Sequence, residues 1–205
     1  LCADERVEVI SFTGSESVGW MLKERYPAKQ VLLELGGSAT AIYTRSTVLD
    51  SDARSLARAA LVYSGQVCIS TQNVLVERRQ LPDFVSQMRS SMAAMKRGDV
   101  QDEDVIYGPI IDEKHTEHLL ALFRRAEENG ATLEALGEDR ALNLAARLVL
   151  LPHADFQIAK EEIFGPMLTV IPYDSIEDAF QIFSTLKSTL QAAIFTDDDT
   201  LWNRA

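Results

Sequence analysis

The sequence predicts an α/β fold with a largely parallel sheet. Short apolar segments of strand length alternate with longer segments whose apolar residues repeat at helical spacing. Strands that alternate with helices in this way pair in parallel, because each helix returns the chain to the same edge of the sheet. The chain has 205 residues, of which 46% are hydrophobic, and this is enough to form a substantial core.

The predicted strands are apolar runs that are bounded by glycine, proline or polar residues. They lie at residues 7–11, 31–35, 74–76, 131–136, 147–151, 167–171 and 192–196. The second strand is of the buried type, and it ends with Glu34 and Leu35, which two glycines follow. We expect the polar stretch 137–146 to be a surface loop.

The predicted helices have apolar residues on one face and capping residues at their ends. They lie at residues 16–26, 50–63, 82–98 and 113–129, with a further helix after Ser175. In the first of them, the apolar residues Val18, Met21 and Leu22 share one face. Asp112 and Ser175 are candidate N-caps, since their side-chain oxygens can accept the first free backbone N–H groups.

Composition excludes several classes of partner. The formal net charge is −11, and this argues against nucleic acid and anionic membrane surfaces as partners. No apolar run is long enough to cross a bilayer. Two cysteines, Cys2 and Cys68, do not form a disulfide framework, so we expect a cytoplasmic protein. The chain begins without Met, and we expect it to be a piece of a longer protein.

Cys68 and Glu34 are the candidate catalytic residues. Each lies where a predicted element ends in a glycine-containing turn, so both side chains can face one cleft. A thiol nucleophile served by a general base needs such a pair. The alternative for each is structural: a cysteine packed in the core and a solvated carboxylate at the end of a strand. His115 and His118 lie three residues apart on a charged helix face, and we expect no metal there.

Four motifs in order resemble the NAD(P)-dependent aldehyde dehydrogenase superfamily. They are FTGS at residues 12–15, ELGG at 34–37, GQVC at 65–68 and EEIFGP at 161–166. The resemblance implies a partial aldehyde-dehydrogenase-like α/β fold. Residues 1–35 would be the end of a Rossmann-like cofactor domain, and residues 36–205 would be the catalytic domain, incomplete at its C-terminus.

The resemblance also implies a role for each site residue. Cys68 would attack the aldehyde carbonyl, and Glu34 would activate the water that hydrolyses the resulting thioester. The cofactor would be NAD or NADP, the substrate a small-molecule aldehyde, and the full-length protein a homo-oligomer. The residues expected to bind the cofactor are Gly14, Ser15, Leu35, Glu162 and Phe164.

Two other functions are compatible with these motifs. One is the branch of the superfamily that transfers the acyl group to coenzyme A, which the retained Glu34 disfavours. The other is a non-catalytic module or truncated product with the same fold, which the drift of secondary motifs favours. One such change is Tyr63, where most members carry Asn. We also expect the 205-residue chain alone to be inactive, because most of the cofactor-binding sheet is missing from it.

Overall fold

The protein has the α/β fold that the sequence predicts. The structure, a computed structural model, describes residues 1–186 and 190–203. The strands are β1 Val9–Thr13, β2 Gln30–Glu34, β3 Ala39–Tyr43, β4 Thr71–Glu77, β5 Thr132–Leu136, β6 Ala146–Leu150, β7 Met167–Tyr173 and β8 Ala192–Phe195. The helices are α1 Glu16–Arg25, α2 Asp50–Leu61, α3 Leu81–Ala93, α4 Glu113–Glu128, α5 Gln157–Lys160 and α6 Ile176–Thr185.

The strands form two sheets. Strands β1 and β2 pair in parallel as a two-stranded sheet, and the other six pair in the order β5-β6-β7-β4-β3-β8. All pairs of the larger sheet are parallel except β5 with β6 at one edge. The prediction of a largely parallel sheet is therefore confirmed. The predicted boundary between residues 35 and 36 falls in the link between β2 and β3, and the division into two domains stays a prediction.

Helices cover both faces of the larger sheet. One core cluster joins α2 and α3 to the sheet through buried side chains such as Leu56 and Phe84. The other joins α4 and α6 to the opposite face, with Leu119 and Phe123 at its centre. The central strands β3, β4 and β7 are buried along nearly their whole length, as strands covered on both faces must be. The ends of these strands are thereby fixed, and the candidate site is built on them.

The structure differs from the sequence prediction at several elements. The short helix α5 was not predicted, and α3 ends at Ala93 rather than at residue 98. Strand β3 was not predicted, although it is central. Helix α2 ends at Leu61 rather than at residue 63, because the next residues form a tight turn. In α1, Val18 and Met21 are exposed, and the buried residue is Gly19. A Cβ atom at Gly19 would lie 2.5 Å from Leu35 Cδ2, so the absence of a side chain at Gly19 allows α1 to approach Leu35.

None of the helices in the described part of the chain combines the length and hydropathy that crossing a membrane requires.

Candidate active site

A cavity of about 700 Å³ lies where the two sheets meet. Three of its walls are the segments that immediately precede β3, β4 and β7. These strands are adjacent and parallel, so their amino ends meet at one edge of the sheet. The opposite wall comes from the carboxyl ends of β1 and β2. The lining residues are Thr13, Gly14, Ser15, Glu34, Leu35, Gly36, Gln66, Val67, Cys68, Glu162 and Phe164.

All seven residues that were predicted to act in catalysis or to bind the cofactor line this cavity. They are Gly14, Ser15, Glu34, Leu35, Cys68, Glu162 and Phe164. The cavity therefore brings together the thiol, both carboxylates and the glycine turn, although they come from four separate segments. Their chemical roles stay predictions.

The thiol of Cys68 is presented by a strained turn. Tyr63, Ser64 and Gly65 all have left-handed backbone conformations, with φ values of 53°, 61° and 68°. A Cβ atom at Gly65 would lie 2.1 Å from the carbonyl oxygen of Gly165, so only glycine fits there. The turn reverses the chain after α2, and Cys68 is exposed to the cavity as a free thiol.

Polar side chains fix the same turn to residues 108–111. The hydroxyl of Ser64 donates to Gly108 O over 2.7 Å and accepts from Gly108 N. The amide nitrogen of Gln66 donates to Pro109 O over 3.2 Å, and its oxygen accepts from Ile111 N over 2.8 Å. These bonds hold the position of the nucleophile candidate without engaging Cys68 itself.

Glu34 ends β2, with its side chain exposed on the cavity wall. Its backbone oxygen accepts from Gly14 N over 3.1 Å, which extends the pairing of β1 and β2. The N–H group of Gly14 is therefore already engaged by the backbone. An anion at the start of α1 would have to use N–H groups from Ser15 onward.

Glu162 reaches across the cavity floor to the glycines after β2. Its Oε1 accepts from Gly37 N over 3.2 Å. A Cβ atom at Gly36 would lie 1.8 Å from that same oxygen, so the carboxylate occupies the space that a side chain at residue 36 would need. The two carboxylates, Glu34 and Glu162, give the cavity negative charge, and none of its lining residues is basic.

The loop that carries Glu162 and Phe164 is held by a buried amide. Gln72, on β4, donates to Ile158 O over 3.1 Å and to Glu161 O over 2.7 Å, and it accepts from Ile163 N over 2.9 Å. Asn73 donates to Ala159 O over 2.9 Å from the same strand. The loop before β7 is thus fixed directly to the strand that follows the Cys68 turn.

Sequence reasoning missed two residues that support the site. Gln72 follows the Cys68 turn closely, and a polar side chain inside a buried strand signals a structural hydrogen bond. His115 was assigned to a solvated helix face, but it is half-buried and its Nε2 lies 2.9 Å from Phe164 O. No signal in the sequence pairs His115 with a loop 49 residues away. The described residues contain no group of three or more His, Cys, Asp or Glu side chains that could hold a metal ion.

Comparison with known proteins gives one family. A model of the aldehyde dehydrogenase family matches residues 1–205. The lactaldehyde dehydrogenase of Methanococcus vannielii is 31% identical over 198 residues, which is 97% of this chain and 42% of that protein. The 2-hydroxymuconic semialdehyde dehydrogenase of Pseudomonas putida is 32% identical over 203 residues, which covers 94% of this chain and 42% of the relative.

Solved structures have the same fold. The NADP-dependent glyceraldehyde-3-phosphate dehydrogenase of Bacillus halodurans, complexed with NADP, matches 99% of this chain with a TM-score of 0.92 and 28% identity. An aldehyde dehydrogenase of Mycobacterium tuberculosis, complexed with NAD⁺, matches 99% with a TM-score of 0.93 and 27% identity. The matches cover 42% and 44% of those chains, so this chain spans less than half the length of its relatives.

Proposed function

Because the chain belongs to the aldehyde dehydrogenase family, we propose that the protein containing it oxidises an aldehyde to a carboxylic acid with NAD⁺ or NADP⁺. The observation that carries this proposal is the shared cavity, in which the exposed thiol of Cys68 and the carboxylate of Glu34 face the same volume. A nucleophile and a base that reach one substrate are what this chemistry needs.

The cavity suits a nicotinamide nucleotide. Its volume of about 700 Å³ lies in the range typical of small-molecule sites. The carboxylate of Glu162 can accept hydrogen bonds from ribose hydroxyls, as carboxylates do in dinucleotide sites. The negative charge of Glu34 and Glu162 favours the positively charged ring of the oxidised cofactor. Phe164 adds an apolar ring to the wall, and the start of α1 can receive phosphate through backbone N–H groups from Ser15 onward.

The proposed mechanism uses two side chains in sequence. The thiolate of Cys68 attacks the carbonyl carbon, and a covalent thiohemiacetal forms on sulfur. A nicotinamide held beside Glu162 and Phe164 would supply the hydride acceptor, and the acyl group would then remain on Cys68 as a thioester. Glu34 then removes a proton from water as the water attacks the thioester carbon. The carbon–sulfur bond breaks, the acid leaves, and Cys68 returns as a thiolate.

Variants of the full-length protein test this mechanism, with formation of reduced nicotinamide followed for a panel of aldehydes. We expect Cys68→Ala to abolish the reaction, because no covalent intermediate can form. The matched control is Cys2→Ala, which removes the other free thiol and should retain parental activity. Equal activity in Cys68→Ala and the parent would refute the covalent mechanism.

Replacing the base should separate the two half-reactions. We expect Glu34→Gln to give a burst of at most one equivalent of reduced cofactor per active site, followed by turnover reduced on the order of 10²–10⁴-fold. Glu24→Gln, on the exposed side of α1, is the control. If Glu34→Gln reached the parental turnover rate only when coenzyme A was added, the result would mean that the acyl group leaves Cys68 by transfer to coenzyme A and not by hydrolysis. A full-length protein inactive on the whole panel would favour the non-catalytic module.

The remaining proposals concern the protein as a whole. The chain alone should form no reduced cofactor, because it spans only 42% of the length of the lactaldehyde dehydrogenase that it matches. Apolar side chains on the two-stranded sheet are exposed, including Val9 and Leu32, and such side chains suit packing against other protein surfaces. We propose that the full-length protein is a homo-oligomer. Two free thiols suit the cytoplasm.

A further inference from the structure

Phe164 has a backbone conformation that its residue type disfavours. Its φ is 56°, in the left-handed region, which is disfavoured for a residue with a bulky side chain. Such conformations persist only when surrounding contacts hold them. Phe164 lines the cavity beside Cys68, so its backbone conformation decides where its ring lies.

The contacts that hold this conformation come from α4. The Nε2 of His115 lies 2.9 Å from Phe164 O, and the two rings meet edge to face with centroids 6.5 Å apart. Because a carbonyl oxygen only accepts, Nε2 carries the proton and donates it. One turn further along the same helix face, Leu119 packs against Gly165, where a Cβ atom would lie 2.8 Å from Leu119 Cδ2.

The position of His115 is itself fixed by the helix cap. Asp112 is the N-cap of α4, and its Oδ1 accepts from His115 N over 2.7 Å. His115 is therefore tied at its backbone and its side chain. His118 lies three residues further along the helix and is exposed, and its ring stacks on that of His115 with centroids 6.0 Å apart.

We infer that His115 is a positioning residue, which holds the backbone of Phe164 so that the phenyl ring forms the cavity wall for the nicotinamide. The cofactor part of this inference rests on the proposed function. His115 touches neither the thiol nor the carboxylates among its recorded contacts, so it acts through Phe164. Its loss should therefore weaken cofactor binding and leave the thiol chemistry unchanged.

The test uses the full-length protein with His115→Leu, His115→Gln and the control Glu117→Leu, at an exposed position of the same helix. The first readout is hydrogen–deuterium exchange of the peptide covering residues 161–166, without cofactor. The second is the dissociation constant of NADH or NADPH from fluorescence titration. The third is the pair of KM values for cofactor and for aldehyde. The fourth is the rate at which Cys68 is alkylated.

We expect His115→Leu to speed exchange and weaken cofactor binding by about fivefold each, the effect of one hydrogen bond. The KM for aldehyde and the alkylation rate should stay at parental values. His115→Gln should return both the exchange rate and the cofactor affinity to parental values, because its amide can donate to Phe164 O. Glu117→Leu should resemble the parent. In a Phe164→Ala background, His115→Leu should add nothing to the loss of binding.

The outcomes separate this inference from the proposed function. Parental exchange in His115→Leu would overturn the positioning role, even if the parent binds cofactor. Equal losses in His115→Gln and His115→Leu would also overturn it, since the donor would then be irrelevant. If exchange responds as expected but the parent binds neither cofactor, the hold on Phe164 stands and the proposed function falls.

Discussion

Gly37 donates its backbone N–H to Oε1 of Glu162 over 3.2 Å, although 125 residues separate them. This bond joins the segment before β3 to the loop before β7, across the amino end of β4 that lies between them. It places the carboxylate on the cavity floor. The absence of a side chain at Gly36 is what makes room for it.

Gly36→Ala should displace this carboxylate. The new Cβ would lie 1.8 Å from Glu162 Oε1, and the flexible side chain of Glu162 can swing away, so the protein should still fold. We expect cofactor binding to weaken by about five- to tenfold, because a hydrogen bond to the ribose is misplaced. Fluorescence titration with NADH or NADPH measures it.

The control for that change is Gly98→Ala. Its new Cβ would meet only a methyl group of Val105 at 3.1 Å, outside the cavity. Parental cofactor binding in Gly36→Ala would mean that the position of the Glu162 carboxylate against Gly36 and Gly37 has no part in binding.

Gln72→Leu should destabilise the fold. The variant leaves Glu161 O, Ile158 O and Ile163 N without the buried amide that pairs with them. We expect a loss of about 2–4 kcal/mol in the free energy of unfolding, measured by urea denaturation. Gln101→Leu, at an exposed position, is the control and should change stability by less than about 0.5 kcal/mol. Equal stabilities for both variants would contradict the anchoring role of Gln72.

The sequence predicted the parts of the site that have a local signature. Glu34 and Cys68 each lie within three residues of a glycine at the end of an element, so their exposure in turns could be expected. The convergence of their segments with Glu162 depends on β3, β4 and β7 being adjacent, and strand order cannot be read from local pattern. The site residues themselves were found through the resemblance of their motifs.

The remaining differences also depend on packing. Strand β3 was missed because Ala39–Tyr43 begins with small residues and follows two glycines and Ser38, which together resemble a loop. Its complete burial comes from helices on both faces, and a continuous run of small and β-branched residues is the signal for it. In α1, the apolar face formed by Val18 and Met21 does not mark the buried side of the helix. The approach of the helix to Leu35 is decided by Gly19, which has no side chain to count.

Tyr63→Asn should stabilise the Cys68 turn. Tyr63 has φ 53° and ψ 30°, and its ring is 73% exposed, so little packing offsets the backbone strain. Asn tolerates this region far better, and we expect a gain of about 1 kcal/mol in the free energy of unfolding. Tyr63→Ala removes the same ring but keeps a disfavoured backbone, so it should show no such gain. An equal gain in the free energy of unfolding in both variants would show that loss of the tyrosine ring, and not relief of backbone strain, causes the stabilisation.

Tyr173 should make stability fall at alkaline pH. Its hydroxyl donates to Tyr43 O over 2.9 Å at a buried position. Burial, with a smaller contribution from the charge of Glu77, raises the pKa of Tyr173 to about 12, whereas an unfolded chain has a tyrosine pKa of about 10. The folded state thus binds the phenolic proton more tightly. Its contribution is complete below pH ~10 and is lost progressively as the pH rises toward 12.

The comparison of the parent with Tyr173→Phe isolates this contribution, because every other titrating group is common to both. At pH 8 we expect the variant to be less stable by about 1 kcal/mol, for want of the hydrogen bond to Tyr43. The gap should narrow between pH ~10 and 11, where the parent alone loses the contribution of this phenol. Urea denaturation across this range measures it, with the exposed Tyr63→Phe as the control that should keep the parental slope. A gap that stays constant from pH 8 to 11 would show that ionisation of Tyr173 is not linked to folding.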